Sequence, residues 1–241
     1  MKNWKKILVV ILFVILFAGS LIINIPAWVI GSLLNHYTQG RVGTTRETGT
    51  FWNGGALLYA ADKDAKTSVP LLMVGWHIKF GLSKFIDIEF NASNKTIARA
   101  ALTKKGVDVS DLNLSMSLDQ LTPLLGNLNS LGLSGNVHVT AANLLLSKTN
   151  QGNINVKLED VGSAIAPVNP IGSYMVDFNL ANTSIDVSSD GDSVINVTAS
   201  GNLNSLVLTS KIQPDKKTQL LQFMTMMGIP QADGSYQMKV F

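Results

Sequence analysis

The hydrophobic rhythm of the chain changes twice, and each change predicts a different kind of element. From Ile7 to Ile25 nineteen positions carry no charge, and all but Gly19, Ser20 and Asn24 are apolar. A bilayer core of ~30 Å takes roughly 20 helical residues, and a helix satisfies its own backbone groups inside lipid. The run therefore predicts a single N-terminal transmembrane helix over 7–25. Lys2, Lys5 and Lys6 precede it with no acid among them, which biases residues 1–6 to the cytoplasm and the rest of the chain to the far side. A cleaved signal peptide is the competing reading, with Ala18-Gly19-Ser20 as its cleavage site. The apolar run continues past that tripeptide through Leu21-Ile22-Ile23, which favours the uncleaved anchor.

After the anchor the spacing becomes helical. Pro26 suits a first turn, Ala27, Ile30, Leu33, Leu34 and Tyr37 share one side, and Gly40 is a stop, so a juxtamembrane helix is expected over 26–40. From Trp76 the period falls to two. Trp76, Ile78, Phe80 and Leu82 alternate with polar residues or glycine, and so do Ile86, Ile88 and Phe90. The alternation recurs at Leu112 to Leu118, Leu131 to Val139, Ile154 to Leu158, Tyr174 to Leu180, Ile185 to Val187, Ile195 to Ala199, Leu206 to Ile212 and Tyr236 to Val240. Short strands at this spacing, with Gly, Asn and Asp between them, predict an antiparallel meander. Asp190-Gly191 is read as one of its tight turns. Two helices interrupt the strands: a short one over 119–125, limited by Pro123, and a longer one over 216–227 with Leu220, Leu221, Met224 and Met227 on one face, ended by Gly228. The fold class is thus mainly β: one transmembrane helix, then a curved antiparallel sheet domain over 41–241 with a few short helices. Strands ending at Phe241 also resemble an outer-membrane barrel, but an apolar helix of this length is not the export signal of such proteins. Leu133-Ser-Gly-Asn-Val137 and Ala199-Ser-Gly-Asn-Leu203 form a weak internal repeat.

Composition narrows the function by exclusion. The charged fraction is 15% and the net charge +3, part of it from the N-terminal lysines, so there is no basic stripe for nucleic acid. There are no cysteines, which removes disulfides, thiol chemistry and thiolate metal sites. His36, His77 and His138 lie far apart, the two later ones on the polar phase of their strands, and no pair has metal-ligand spacing. Asp62 with Asp64 and Asp190 with Asp192 are the closest carboxylate pairs, and neither sits in a complete calcium loop. No phosphate loop or nucleophile elbow is present. No catalytic, metal or cofactor residue is expected, and the chain reads as a non-enzyme.

Three stretches carry a resemblance. Gly49-Thr50-Phe51-Trp52-Asn53-Gly54-Gly55-Ala56 resembles the G-T-x-W-x-G element that follows the anchor in protein N of the bacterial type II secretion system, the GspN family. Pro167-Val168-Asn169-Pro170-Ile171-Gly172-Ser173-Tyr174 resembles that family's P-x-N-P-x-G-x-Y segment, and the tail with Leu220, Leu221, Gly228 and Asp233-Gly234-Ser235-Tyr236 resembles its C-terminal helix and last strand. The resemblance implies a Gram-negative inner-membrane protein, N-terminus cytoplasmic and β-rich domain periplasmic. It would be an accessory structural component supporting export of folded proteins, with other secretion components as partners. The family is also similar, distantly, to AsmA-type proteins, which implies the alternative of an apolar groove for lipid binding or transport.

Physics assigns the motif residues a structural role first. Gly49, Gly54 and the neighbouring glycine allow a bend beside Trp52, which is expected to anchor the first strand in the core. Pro167, Pro170 and Gly172 are expected to fix a rigid loop before the Tyr174 strand. Thr50, Asn169, Gly234 and Tyr236 complete the set.

Overall fold

The computed structural model describes residues 2–61, 68–81, 84–121, 130–202 and 204–239. Asp62, Asp64, Leu82, Pro123 to Leu125, Leu203, Val240 and Phe241 lie outside the described residues, as does the side chain of Met227. The chain divides into two units, residues 1–80 with 88–95, and residues 81–87 with 96–241.

The first unit opens with helix α1, Lys2–Ile23, whose described side chains from Leu8 onward are almost all exposed. Those described residues cover about 24 Å at ~1.5 Å per residue. Among the described residues no helix is long and apolar enough to cross a membrane. Helix α2, Trp28–Tyr37, follows, and Thr38 ends it by donating its hydroxyl to the Leu34 carbonyl at 2.8 Å. Strands β1, Val42–Gly49, β2, Asn53–Ala61, and β3, Ser68–Lys79, pair antiparallel, and the unit also holds β4, Ile86–Ala92, in all but its first two residues. Helix α2 crosses β1 closely because Gly31 has no Cβ where the Thr44 hydroxyl lies.

The second unit contains β5, Lys95–Thr103, in all but its first residue, then β6, Gly106–Ser117, and a single helical turn, α3, Leu118–Leu121. Strands β7, Leu133–Leu146, β8, Asn153–Ser163, β9, Gly172–Asn179, β10, Ser184–Ser189, β11, Ile195–Asn202, and β12, Val207–Ile212, continue it. Helix α4, Lys217–Met227, and the hairpin of β13, Ile229–Pro230, with β14, Tyr236–Lys239, end it. One antiparallel sheet of 14 strands runs in chain order from β1 to β12, then β14 and β13. The expected meander is present.

One sheet face of the second unit carries its core. Val137, Tyr174 and Ile195 point to the side where α3 and α4 lie, and Leu118, Leu131, Val161 and Ile171 join them. Helix α4 contributes Leu220, Phe223 and Met224, of which Leu220 and Met224 are wholly buried. Burying each such side chain contributes roughly 1.5–3 kcal/mol. A bulge at Asp160 in β8, at positive φ, shifts the register against both neighbouring strands and bends β8 locally.

Several expectations need correction. Strands begin well before Trp76. β1 carries only Val42 as a strongly apolar residue, and β2 reads Asn-Gly-Gly then an unbroken run, so neither shows alternation although the two pair on both sides of an irregularity between Thr45 and Thr48. β5, rich in alanine, is hidden for the same reason. The strand expected to include Phe80 stops at Lys79. Leu118 begins α3 instead of ending a strand. On α4 the buried stripe is 220, 223 and 224, the i, i+3, i+4 set, while Leu221 lies about 100° away and is 47% exposed. Asp190-Gly191 is not a two-residue turn. The connection spans residues 190–194, and Gly191 does not adopt positive φ. The two Ser-Gly-Asn stretches are not equivalent either, one opening β7 and the other closing β11.

Candidate functional site

In the first unit the Gly49 to Ala56 stretch is the turn between β1 and β2, and it closes on the end of α1. A helix leaves its last four carbonyls without intrahelical partners. Here the Trp52 indole N–H donates to the Ile22 carbonyl at 2.7 Å, and the Phe51 N–H donates to Ile25 at 2.8 Å. The return bond runs from the Ala27 N–H to the Gly49 carbonyl at 3.4 Å, and Pro26 bridges Thr50. Thr50 makes the turn itself, its N–H donating to the Asn53 carbonyl at 2.9 Å and its hydroxyl accepting from the Asn53 N–H at 3.2 Å. Gly49 sits at φ +82°, where a side chain would be strained.

Trp52 is half-buried, contrary to its expected place in the core. The buried indole is that of Trp76, 4% exposed, which donates to the Phe51 carbonyl at 3.0 Å. Gly54 makes room for it, since a Cβ there would lie 2.7 Å from Trp76 Cζ2 and from the carbonyls of Thr48 and Thr50. Trp52 instead stacks edge-on against Phe51, centroids 4.9 Å apart, and tilts against Phe80 at 5.2 Å. A large ring beside glycines is visible in sequence, but which of two tryptophans faces inward is set by the pairing of Gly54 with Trp76.

In the second unit the other motifs surround one face of the sheet. Asn169 clasps the backbone of Ser163, accepting from its N–H at 2.8 Å and donating to its carbonyl at 3.0 Å. The Asn169–Pro170 peptide is cis, and Pro167 is exposed on the loop. Gly172 lies against Ser193 and the Tyr174 hydroxyl, leaving no space for a Cβ. Buried Ser193 donates to the Ser173 carbonyl at 2.9 Å and accepts from its N–H at 3.0 Å. Tyr174 is buried and donates its hydroxyl to the Ile195 carbonyl at 3.0 Å, and burial pushes its ionisation well above the ordinary tyrosine value. At the tail, Gly234 turns at φ +79° and Tyr236 enters the core. Asp233 accepts from the Ser235 hydroxyl at 2.6 Å and its N–H at 3.1 Å and pairs with Lys211 at 3.1 Å. These contacts pull its carboxyl down to about 2.

Beside these motifs lies an apolar cavity of about 520 Å³, lined by residues such as Leu133, Val156, Tyr174, Val187, Leu208 and Met224. Its lining includes almost no free polar group. The Ser210 hydroxyl donates to Tyr236, and that of Tyr174 is already used.

The opposite, polar face holds a cluster that periodicity alone does not show. His138 Nδ1 lies 2.8 Å from the Ser115 hydroxyl, its Nε2 3.1 Å from Glu159, and Lys157 pairs with Glu159 at 2.6 Å. The Lys157 ammonium, by hydrogen bonding, holds the Glu159 carboxyl below the usual carboxylate range. Ser115, His138 and Lys157 are cross-strand neighbours on an open surface, and the surrounding backbone N–H groups are engaged in strand pairing, so nothing there is built to receive an oxyanion. Among the described residues no three His, Cys, Asp or Glu side chains gather as for a metal.

The family model described as type II secretion system (T2SS), protein N matches residues 40–239. The chain belongs to the type II secretion system protein N family. Its matched region contains all three motifs. Membership implies a role in type II secretion and a place in the cell envelope, and the family is a secretion-system component, not an enzyme family. No curated protein and no solved structure gives a match.

Proposed function

We propose that this protein N is an accessory inner-membrane component of the type II secretion system with a structural, non-catalytic role. The run from Ile7 to Ile25 anchors it, the N-terminus lies in the cytoplasm, and residues from 41 onward stand in the periplasm, where they contact other secretion components of a Gram-negative cell. One observation carries this reading: the turn that opens the family region is bonded through Trp52 and Phe51 to the end of an apolar helix exposed all round. In water such a helix would leave an apolar surface far larger than monomeric proteins tolerate. Deleting the gene and measuring export of a secreted enzyme, with co-purification of the membrane assembly platform, tests it. Normal export with no secretion protein retained would overturn it.

The apolar cavity favours a second reading, in which the sheet binds the acyl chain of a lipid, as the likeness to AsmA-type proteins implies. A lining with its polar groups already engaged suits hydrocarbon. Native mass spectrometry of the detergent-solubilised protein distinguishes the two, because a purely structural cavity carries no lipid mass.

A further inference from the structure

Several aromatic rings gather where α1 ends, and most of them do not belong to a helix. Trp52 and Phe51 come from the β1–β2 turn, Phe80 follows β3, and Trp28 opens α2. Phe80 is 69% exposed and Trp28 58%, although Phe80 packs on the Trp52 ring. Exposed rings of this size are costly in water, and here they adjoin a helix that is itself exposed and apolar from Leu8 to Ile23. The indole N–H of Trp52 is spent on the carbonyl of Ile22, the penultimate residue of α1. An aromatic body with its polar tip engaged at that level matches the boundary between hydrocarbon and headgroups, where tryptophan and tyrosine concentrate. The Ile22 carbonyl also accepts from the Ile25 N–H at 3.4 Å, and the indole adds a second, shorter bond where water is scarce.

We propose that Phe80, Trp52 and Trp28 form a second membrane contact, which seats the Gly49–Asn53 turn in the phospholipid headgroup layer around the end of α1. The proposal rests on the anchor reading and adds a sheet-borne surface to it. Its partner is lipid, because Trp52 is bonded to the end of α1, whose apolar side chains are exposed from Leu8 to Ile23. The first unit then holds its position on the bilayer through the turn between β1 and β2 as well as through the helix.

The chain has no cysteine, so single labels are unambiguous. Leu16→Cys, Phe80→Cys and Lys95→Cys, each carrying a nitroxide in the full chain, are compared in nanodiscs of phosphatidylethanolamine and phosphatidylglycerol. The readout is collision with oxygen, which enriches in lipid, and with a water-soluble nickel chelate. Leu16 reads deep and Lys95 reads water. Phe80 reads between them, its nickel collisions reduced several-fold from those at Lys95 while oxygen still reaches it. A Phe80 label as open to nickel as Lys95, with Leu16 deep, overturns the second contact and leaves the anchor standing. Shielding of Phe80 from both reagents places protein against it and overturns the proposal too. Leu16 in water overturns the anchor and the contact together.

Discussion

Gly54→Ala separates two adjacent glycines that look interchangeable in the sequence. A Cβ at Gly54 would stand 2.7 Å from the carbonyls of Thr48 and Thr50 and from the Trp76 ring, against the 3.4 Å at which ordinary contact begins. The two carbonyls cannot yield independently, because β1 is paired to β2 and the Thr50 turn is bonded to Asn53. Trp76 cannot yield cheaply either, being buried and bonded to Phe51. Overpacking of this kind costs about 1–3 kcal/mol. At roughly 2–4 °C per kcal/mol for a chain of this size, the unfolding midpoint should fall by roughly 2–12 °C. A Cβ at Gly55 meets the Val74 carbonyl at 3.4 Å, Thr48 Oγ1 at 3.7 Å and Gly75 Cα at 3.8 Å, all within ordinary contact, and no positive φ opposes it. Gly55→Ala should therefore be neutral or stabilise by up to ~1 kcal/mol through the unfolded chain. The assay is thermal unfolding of the full chain in detergent, followed by tryptophan emission. Equal midpoints for Gly54→Ala and wild type, or equal losses for both variants, would refute the steric argument.

Leu220→Ala should lower stability by about 2–5 kcal/mol and Leu221→Ala by no more than ~0.5 kcal/mol, measured by urea unfolding, because only the first side chain is buried. Tyr174→Phe should cost about 1–3 kcal/mol by leaving the Ile195 carbonyl without its hydroxyl donor, seen as a lower urea midpoint. Since folding raises the Tyr174 ionisation above 10.0, the wild type should lose stability as pH climbs past about 10, where the unfolded chain releases the proton and the fold retains it; Tyr174→Phe should flatten that alkaline limb. Asp233 is shifted the other way, so its contribution is present above pH 3.8 and is lost as pH falls from there toward about 2. Amide exchange in the β13–β14 hairpin should accelerate over that interval in the wild type and be already fast in Asp233→Asn.

The strands of the second unit are legible in sequence because one face is covered and the other is wet, so alternation is enforced at Val137 and His138 or Val156 and Lys157. Alternation fails where burial is uneven. β1 lies under α2 with Thr44 against Gly31, and a threonine-rich strand covered by a glycine shows no apolar signal at all. Turn chemistry is similarly half visible. Asp-Gly suggests a tight turn, yet the Ser193 hydroxyl, bonded across to Ser173, sets a five-residue connection that local sequence cannot anticipate. The motif residues stand out by type, but their partners lie far along the chain. Trp52 finds Ile22, and Tyr174 finds Ile195, through the register of pairing and not through spacing.

The meander also prescribes an order of assembly. From β1 to β12 every strand is hydrogen-bonded to its neighbours in the chain, so each can dock as soon as it is available, without waiting for a distant segment. Contacts this local close small loops and form quickly. A chain delivered progressively through a membrane could build such a sheet strand by strand on the far side, starting beside its own helix. The exception is the last step: β14 must pass β13 to reach β12, and α4 must fold between them to bring Leu220 and Met224 onto the core. Chains stopped at residue 213 should accordingly protect the amides of β7 to β11 in exchange experiments while leaving the apolar face open, and loss of that protection would show that α4 is needed from the start.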